Sequence, residues 1–193
     1  MKLNTSTLSG TATLAALVVV ADYTMRYSNL KIPFPWLPHL KFDFTGIPIV
    51  ISALLFGLIP GTFTSIIASA AILARSGDVF GTSTKGLAEL STMAGIVKGL
   101  GLFKRLRTPS SVALGLTLRV VIMMIANLAF IYSGILLLPS AYKEALWVWI
   151  LVTGAFNVAQ GVVSAAGGYI VYEAIKKRAP FLIEKNRRRE SSV

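Results

Sequence analysis

Leu30-Lys-Ile-Pro-Phe-Pro-Trp-Leu-Pro-His-Leu-Lys-Phe-Asp-Phe-Thr-Gly-Ile-Pro48 runs on into an apolar segment that ends at Ile59-Pro60-Gly61. Around it the chain is mostly long apolar stretches of helical length. Proline in the interior of a helix removes a hydrogen bond and clashes with the preceding turn, so this stretch interrupts the helical pattern. In a bilayer, irregular backbone is tolerated only where it is buried in protein or lines a cavity. The stretch therefore predicts an element at the end of a helix bundle, with something held beneath it.

Composition supports the bilayer. The 193 residues are 54% hydrophobic and only 14% charged, against about 25% charged in soluble domains. No cysteine is present, which excludes disulfides and thiolate-based metal or redox sites. His39 is the only histidine, so a His-rich metal site is excluded and a Ser-His-Asp triad would have to use that residue. There is no Gly-x-x-x-x-Gly-Lys-Ser/Thr loop and no catalytic signature, so the chain is not expected to be an enzyme or to hydrolyse ATP by itself.

Six apolar segments are expected to form helices, at about residues 8–25, 46–58, 62–74, 86–103, 111–138 and 145–172. The first runs on into Asp22 and Arg26 without an Ala-x-Ala site, and so reads as a retained helix rather than a cleaved leader. The second and third have 13 residues each, about 20 Å of helix against a hydrocarbon core of about 30 Å. They form either a re-entrant hairpin or two short helices shielded by longer neighbours.

Charge decides between these readings. With the N-terminus inside, six spans put Lys104, Arg105, Arg107 and the Lys176–Arg189 tail on one side, as the positive-inside rule requires. A re-entrant hairpin would strand one of those clusters outside. The expectation is an all-α integral membrane protein of the plasma membrane, a six-transmembrane-helix bundle, N-in and C-in, with short second and third helices. Residues 1–178 form its single domain and 179–193 a basic cytoplasmic tail. That tail lacks any recognisable nucleic-acid-binding fold around it, so no nucleic-acid partner is expected.

Chemistry-bearing residues are few. Phe34, Trp36, Phe42 and Phe44 lie among prolines in the connecting stretch, where they form either a belt at the lipid interface or flat surface for a ring-shaped ligand. Asp43 needs a partner if buried. Asn127 lies midway along the fifth helix, while Asn157 and Gln160, three apart, share a face of the sixth. Such amides serve either a ligand or contacts between helices. Glu89 and Arg119 are expected to neutralise each other, and Asp22 to pair with Arg26 one turn on. Ala12 and Ala16 form a small-xxx-small face, and Gly161, Ala165 and Gly168 a second one for close packing.

Leu40-Lys-Phe-Asp-Phe-Thr-Gly-Ile-Pro48, Leu54-Leu-Phe-Gly57, Met123-Met-Ile-Ala-Asn127 and Phe156-Asn-Val-Ala-Gln-Gly161 together resemble the substrate-binding S components of energy-coupling factor (ECF) transporters. They are most similar to the riboflavin-binding branch. The resemblance implies a subunit that captures a vitamin near the outer face of the membrane. It would then dock on a transmembrane coupling subunit with two ATPase subunits. By motif position it implies Lys41, Phe42, Asp43, Asn127, Asn157 and Gln160 as substrate-binding residues, and Ala12 and Ala16 as the coupling-subunit contact. No cofactor is implied beyond riboflavin or another vitamin as bound substrate.

The chain departs from that branch where Gly46 replaces a loop aspartate and Gln160 a lysine. It departs again at Ala68-Ser69, in place of Lys-Asn, and at Ser91, in place of asparagine. The readings beside riboflavin are therefore an S component for another vitamin or precursor, or a non-transporting membrane scaffold.

Overall fold

The computed structural model describes residues 5–103, 107–136 and 145–180. Among the described residues six helices follow one another: α1 (Thr5–Tyr27), α2 (Gly46–Phe56), α3 (Leu58–Ser76), α4 (Val79–Leu102), α5 (Arg107–Tyr132) and α6 (Leu146–Arg178). Between α1 and α2 lies a two-stranded antiparallel hairpin, β1 (Ile32–Phe34) and β2 (Leu37–Phe42). Among the described residues α1, α3, α5 and α6 are long and apolar enough to cross a membrane. Most of the basic tail, together with Lys104, Arg105 and the stretch between the segments expected at 111–138 and 145–172, lies outside the described residues.

Helix α2 is the hub. Its 11 residues span only about 16 Å, yet every residue from Pro48 to Ala53 is buried. A helix that is apolar all round must be enclosed on all sides. Here α1, α3, α4 and α6 enclose it. Glycines set the close approaches: a Cβ on Gly168 would lie 2.5 Å from Val50, and one on Gly61 2.8 Å from Ala53. Antiparallel α4 and α5 meet at Gly95 and Gly115, whose backbones leave no room for a side chain between them.

The structure corrects four expectations. The third helix is not short: its 19 residues begin at Leu58, because Pro60 falls in the first turn, where the missing amide has no intrahelical partner to lose. The break lies instead at Gly57, whose φ of 93° is open to glycine at little cost. Helix α4 starts at Val79, capped by the Asp78 carboxylate accepting from the Gly81 amide at 2.8 Å. It therefore absorbs most of the gap between the segments expected at 62–74 and 86–103. The connecting stretch is a hairpin rather than irregular chain, since two strands alone leave edges on which Pro33 and Pro38 cost no ladder bond. Finally, Asp22 does not pair with Arg26. It sits buried between Lys31 at 2.5 Å and Arg75 at 2.7 Å, joining α1 to the hairpin and to the end of α3.

Candidate ligand-binding site

The hairpin caps the bundle through its apolar underside. Phe34 and Leu37 are buried with Trp149 and Ile150 of α6. Phe42 packs on Phe34 and Phe156, with ring centroids 5.7 and 5.2 Å apart. His39 lies parallel to Trp149, with centroids 5.7 Å apart, and partial burial lowers its pKa below the usual histidine range.

Beneath the hairpin lies a cavity of about 410 Å³, walled by β2 and the residues after it and by α4, α5 and α6. That size falls within the range of small-molecule sites, about 300–1,000 Å³. Phe80, Met123, Trp149 and Phe156 supply apolar wall. Fourfold spacing brings the α5 and α6 residues to it: Arg119, Met123 and Asn127 on one helix, Trp149, Thr153 and Asn157 on the other. Residues four apart share a helix face.

Asp43 fastens the cap to the bundle. Its Oδ1 accepts from the Thr45 amide at 3.1 Å and the Thr45 hydroxyl at 2.6 Å, which ties the end of β2 to the start of α2. Its Oδ2 accepts from Lys85 of α4, with Lys31 at 3.8 Å. Burial by itself would raise this carboxyl, but the charge and hydrogen bond of Lys85, the Thr45 hydroxyl and the charge of Lys31 together hold its pKa below the usual value. Gln160 completes the arrangement from α6: its Nε2 donates to the Asp43 carbonyl at 2.8 Å and its Oε1 accepts from the Asp43 amide at 3.2 Å.

At the deep end Arg119 is buried. Its Nη1 donates to Glu89 Oε1 at 3.0 Å and to Thr92 at 3.1 Å, and its Nε to Asn157 Oδ1 at 3.3 Å. The expected neutralisation of Glu89 by Arg119 is thus present in the structure. Asn157 and Asn127 each return an amide N–H to the carbonyl four residues back, on Thr153 and Met123.

Of the residues nominated from sequence, Lys41, Asp43, Asn127, Asn157 and Gln160 line this one cavity. Phe42 turns away into the cap's aromatic cluster and lines a separate apolar groove with Met25, Leu30 and Phe44. The side chains of Asp43 and Gln160 are engaged in holding the cap. Lys85, Trp149, Thr153 and His39 also line the cavity without having been nominated. Lys85 falls in the gap between two expected helices, and Trp149 in an apolar run. Ala12 and Ala16 are exposed on the outer face of α1.

No protein-family model matches the sequence, and a search of curated proteins finds no match. Among solved structures, the S component of a bacterial ECF transporter matches with a TM-score of 0.67 at 20% identity, over 89% of this chain and 95% of that one. The fold is that of an S component.

Proposed function

We propose that this chain is the substrate-capture subunit of an ATP-dependent ECF-type uptake transporter for a vitamin or related heteroaromatic metabolite, with riboflavin the leading candidate. The observation that carries the reading is the capped cavity of about 410 Å³ in a fold shared with an S component. Aromatic wall and neutral amides suit a flat, polar heterocycle. Flavin recognition rests on the motif resemblance.

In this reading the protein lies in the plasma membrane with both ends inside and six spans. The hairpin and cavity then face outward, while Lys98, Arg107 and Lys176–Arg178 lie at the inner end, in keeping with the positive-inside rule. Its partners are a transmembrane coupling subunit, met through the Ala12–Ala16 face, and two ATPase subunits. Those partners supply the ATP chemistry that this chain's motifs lack. Opening the cap admits the ligand from outside, and release on the inner side follows reorientation of the subunit by its partners.

The deciding experiment is mass spectrometry of small molecules that co-purify with the detergent-solubilised protein, followed by thermal-shift assays across a vitamin panel. Stoichiometric flavin, or stabilisation by riboflavin, supports the assignment. A different bound vitamin keeps the transporter and changes the substrate. Absence of any stabilisation across the panel sinks the capture-subunit reading in favour of a scaffold.

A further inference from the structure

Arg75, Asp22, Lys31, Asp43 and Lys85 form a chain of alternating charge across the capped end of the bundle. Arg75 Nε lies 2.7 Å from Asp22 Oδ2, and Lys31 Nζ lies 2.5 Å from Asp22 Oδ1. The same Lys31 nitrogen is 3.8 Å from Asp43 Oδ2, which accepts from Lys85. Both carboxylates are buried. Lys31 directly precedes β1 and Asp43 directly follows β2, so one run of charges pins both feet of the cap. Arg75 carries it to α3 and Lys85 to α4.

The numbers of the two signs are unequal. Among the described residues three cations serve two carboxylates in this cluster. Arg75 holds Asp22 from one side, Lys85 holds Asp43 from the other, and Lys31 stands between them. A buried carboxylate that loses its last cation is far worse off than one that loses a second. Lys31 needs only about 1 Å of travel to bring its ammonium into charge-assisted hydrogen-bond range of Asp43, and its four-carbon stem is flexible. Lys85 is the most exposed of the five side chains, at 24%. It lines the cavity, as Asp43 does, whereas Arg75, Asp22 and Lys31 do not. Lys85 is therefore the cation that a molecule in the cavity can reach.

We propose that Lys31 is a reserve cation shared between Asp22 and Asp43. When Lys85 turns from Asp43 into the cavity, Lys31 moves onto Asp43 while Arg75 keeps Asp22 neutralised. Both feet of the cap then stay fastened. Lys31 is thus a positioning residue outside the cavity. That Lys85 becomes available to a ligand beneath a closed cap rests on the capture-site reading; the exchange of cations does not.

Lys85→Met reproduces the departure of Lys85 without any ligand. Wild type, Lys31→Met, Lys85→Met and the double variant are compared as full-length protein in detergent, by thermal melting and by hydrogen–deuterium exchange over residues 30–45. Each single variant should melt roughly 2–5 °C lower and keep the segment protected, because each carboxylate retains one cation. The double variant leaves Asp43 with none. Its Tm should fall by roughly 10–20 °C, and exchange in the segment should quicken roughly tenfold or more.

Asp43→Asn supplies a change of sign that a merely structural lysine would not produce. It should lower the Tm of wild type and raise that of the double variant, since the amide oxygen still accepts from Thr45 and needs no cation. Should the double variant fail to fold, the triple variant decides: a folded protein with a protected segment supports the exchange, and continued failure overturns it. Additive losses, a loss of protection in Lys31→Met alone, or a lower Tm on adding Asp43→Asn to the double variant would each overturn it. Every arm is read without ligand, so such a failure leaves the capture-site reading standing. A protein that binds no vitamin would sink that reading and leave this cycle unchanged.

Discussion

Gln160 grips the backbone of Asp43, 117 residues away in the chain, through both halves of its side-chain amide: Nε2 to the carbonyl at 2.8 Å and Oε1 to the amide at 3.2 Å. It is a hydrogen-bonded tie from α6 to the cap, beside the apolar contacts of Trp149 and Phe156 with the hairpin. Replacing it by alanine removes two buried bonds of about 1 kcal/mol each. In Gln160→Ala the cap should open more readily, with a ligand off-rate raised roughly 5- to 150-fold. Stopped-flow dissociation checks this. An unchanged off-rate would show that the aromatic contacts alone hold the hairpin.

Asp43 predicts a pH dependence. Its folded pKa lies below the ordinary carboxylate value of 3.8, so the folded state binds this proton less readily than the unfolded one. The stabilisation is complete above the unfolded value and is lost as pH falls through the depressed folded value. Wild type should therefore melt above Asp43→Asn by a constant margin from about pH 8 to about pH 5, and the margin should shrink only below about pH 4. A margin already closing at about pH 6 would mean that another group carries the effect.

Arg119 and Glu89 form a buried pair at 3.0 Å. Removing one partner of such a pair leaves the other charge uncompensated, at a cost of about 3–5 kcal/mol. Arg119→Leu should lower stability by about that amount, and Glu89→Leu combined with Arg119→Leu by clearly less. Thermal denaturation of the two variants, folded without ligand, measures the difference.

Gly57 turns the chain between α2 and α3 at φ 93° with open space where a Cβ would go. The cost of Gly57→Ala is therefore one of backbone conformation alone, about 1–3 kcal/mol. Gly101→Ala also meets open space, but it sits within the last turn of α4 and should be near neutral or slightly stabilising. A matched pair of melting curves compares them.

Ala12 and Ala16 lie exposed on α1, away from the cavity. Under the proposed function, Ala12→Leu or Ala16→Leu should keep ligand affinity and abolish uptake in reconstituted vesicles containing the coupling subunit and ATPases. Normal uptake by both variants would move the coupling surface elsewhere on the bundle.

Much of the architecture was legible in the chain because the bilayer imposes a length and polarity rule that acts segment by segment. The apolar runs around 8–25, 111–138 and 145–172 correspond to α1, α5 and α6. Asn157 and Gln160 could be placed on one face by their spacing alone, and Glu89 and Arg119 paired because few other charges lie so deep. The third helix was less legible. Pro60-Gly61 looks like a break, yet proline in a first turn is compatible with a helix, and the true discontinuity is the isolated Gly57.

Sequence by itself thus determined a membrane-embedded helix bundle, the stretch that covers one end of it, and the inward placing of Glu89, Arg119, Asn127, Asn157 and Gln160. Those properties follow from local spacing and from the cost of leaving backbone or charge in hydrocarbon. Only the tertiary structure decided the partners. Asp22 prefers Lys31 and Arg75 to the nearer Arg26, Asp43 joins Lys85 and Gln160, and Glu89 keeps one oxygen unpartnered. Each depends on which groups from distant segments come within about 3 Å of one another, a distance that helix packing sets and spacing along the chain does not.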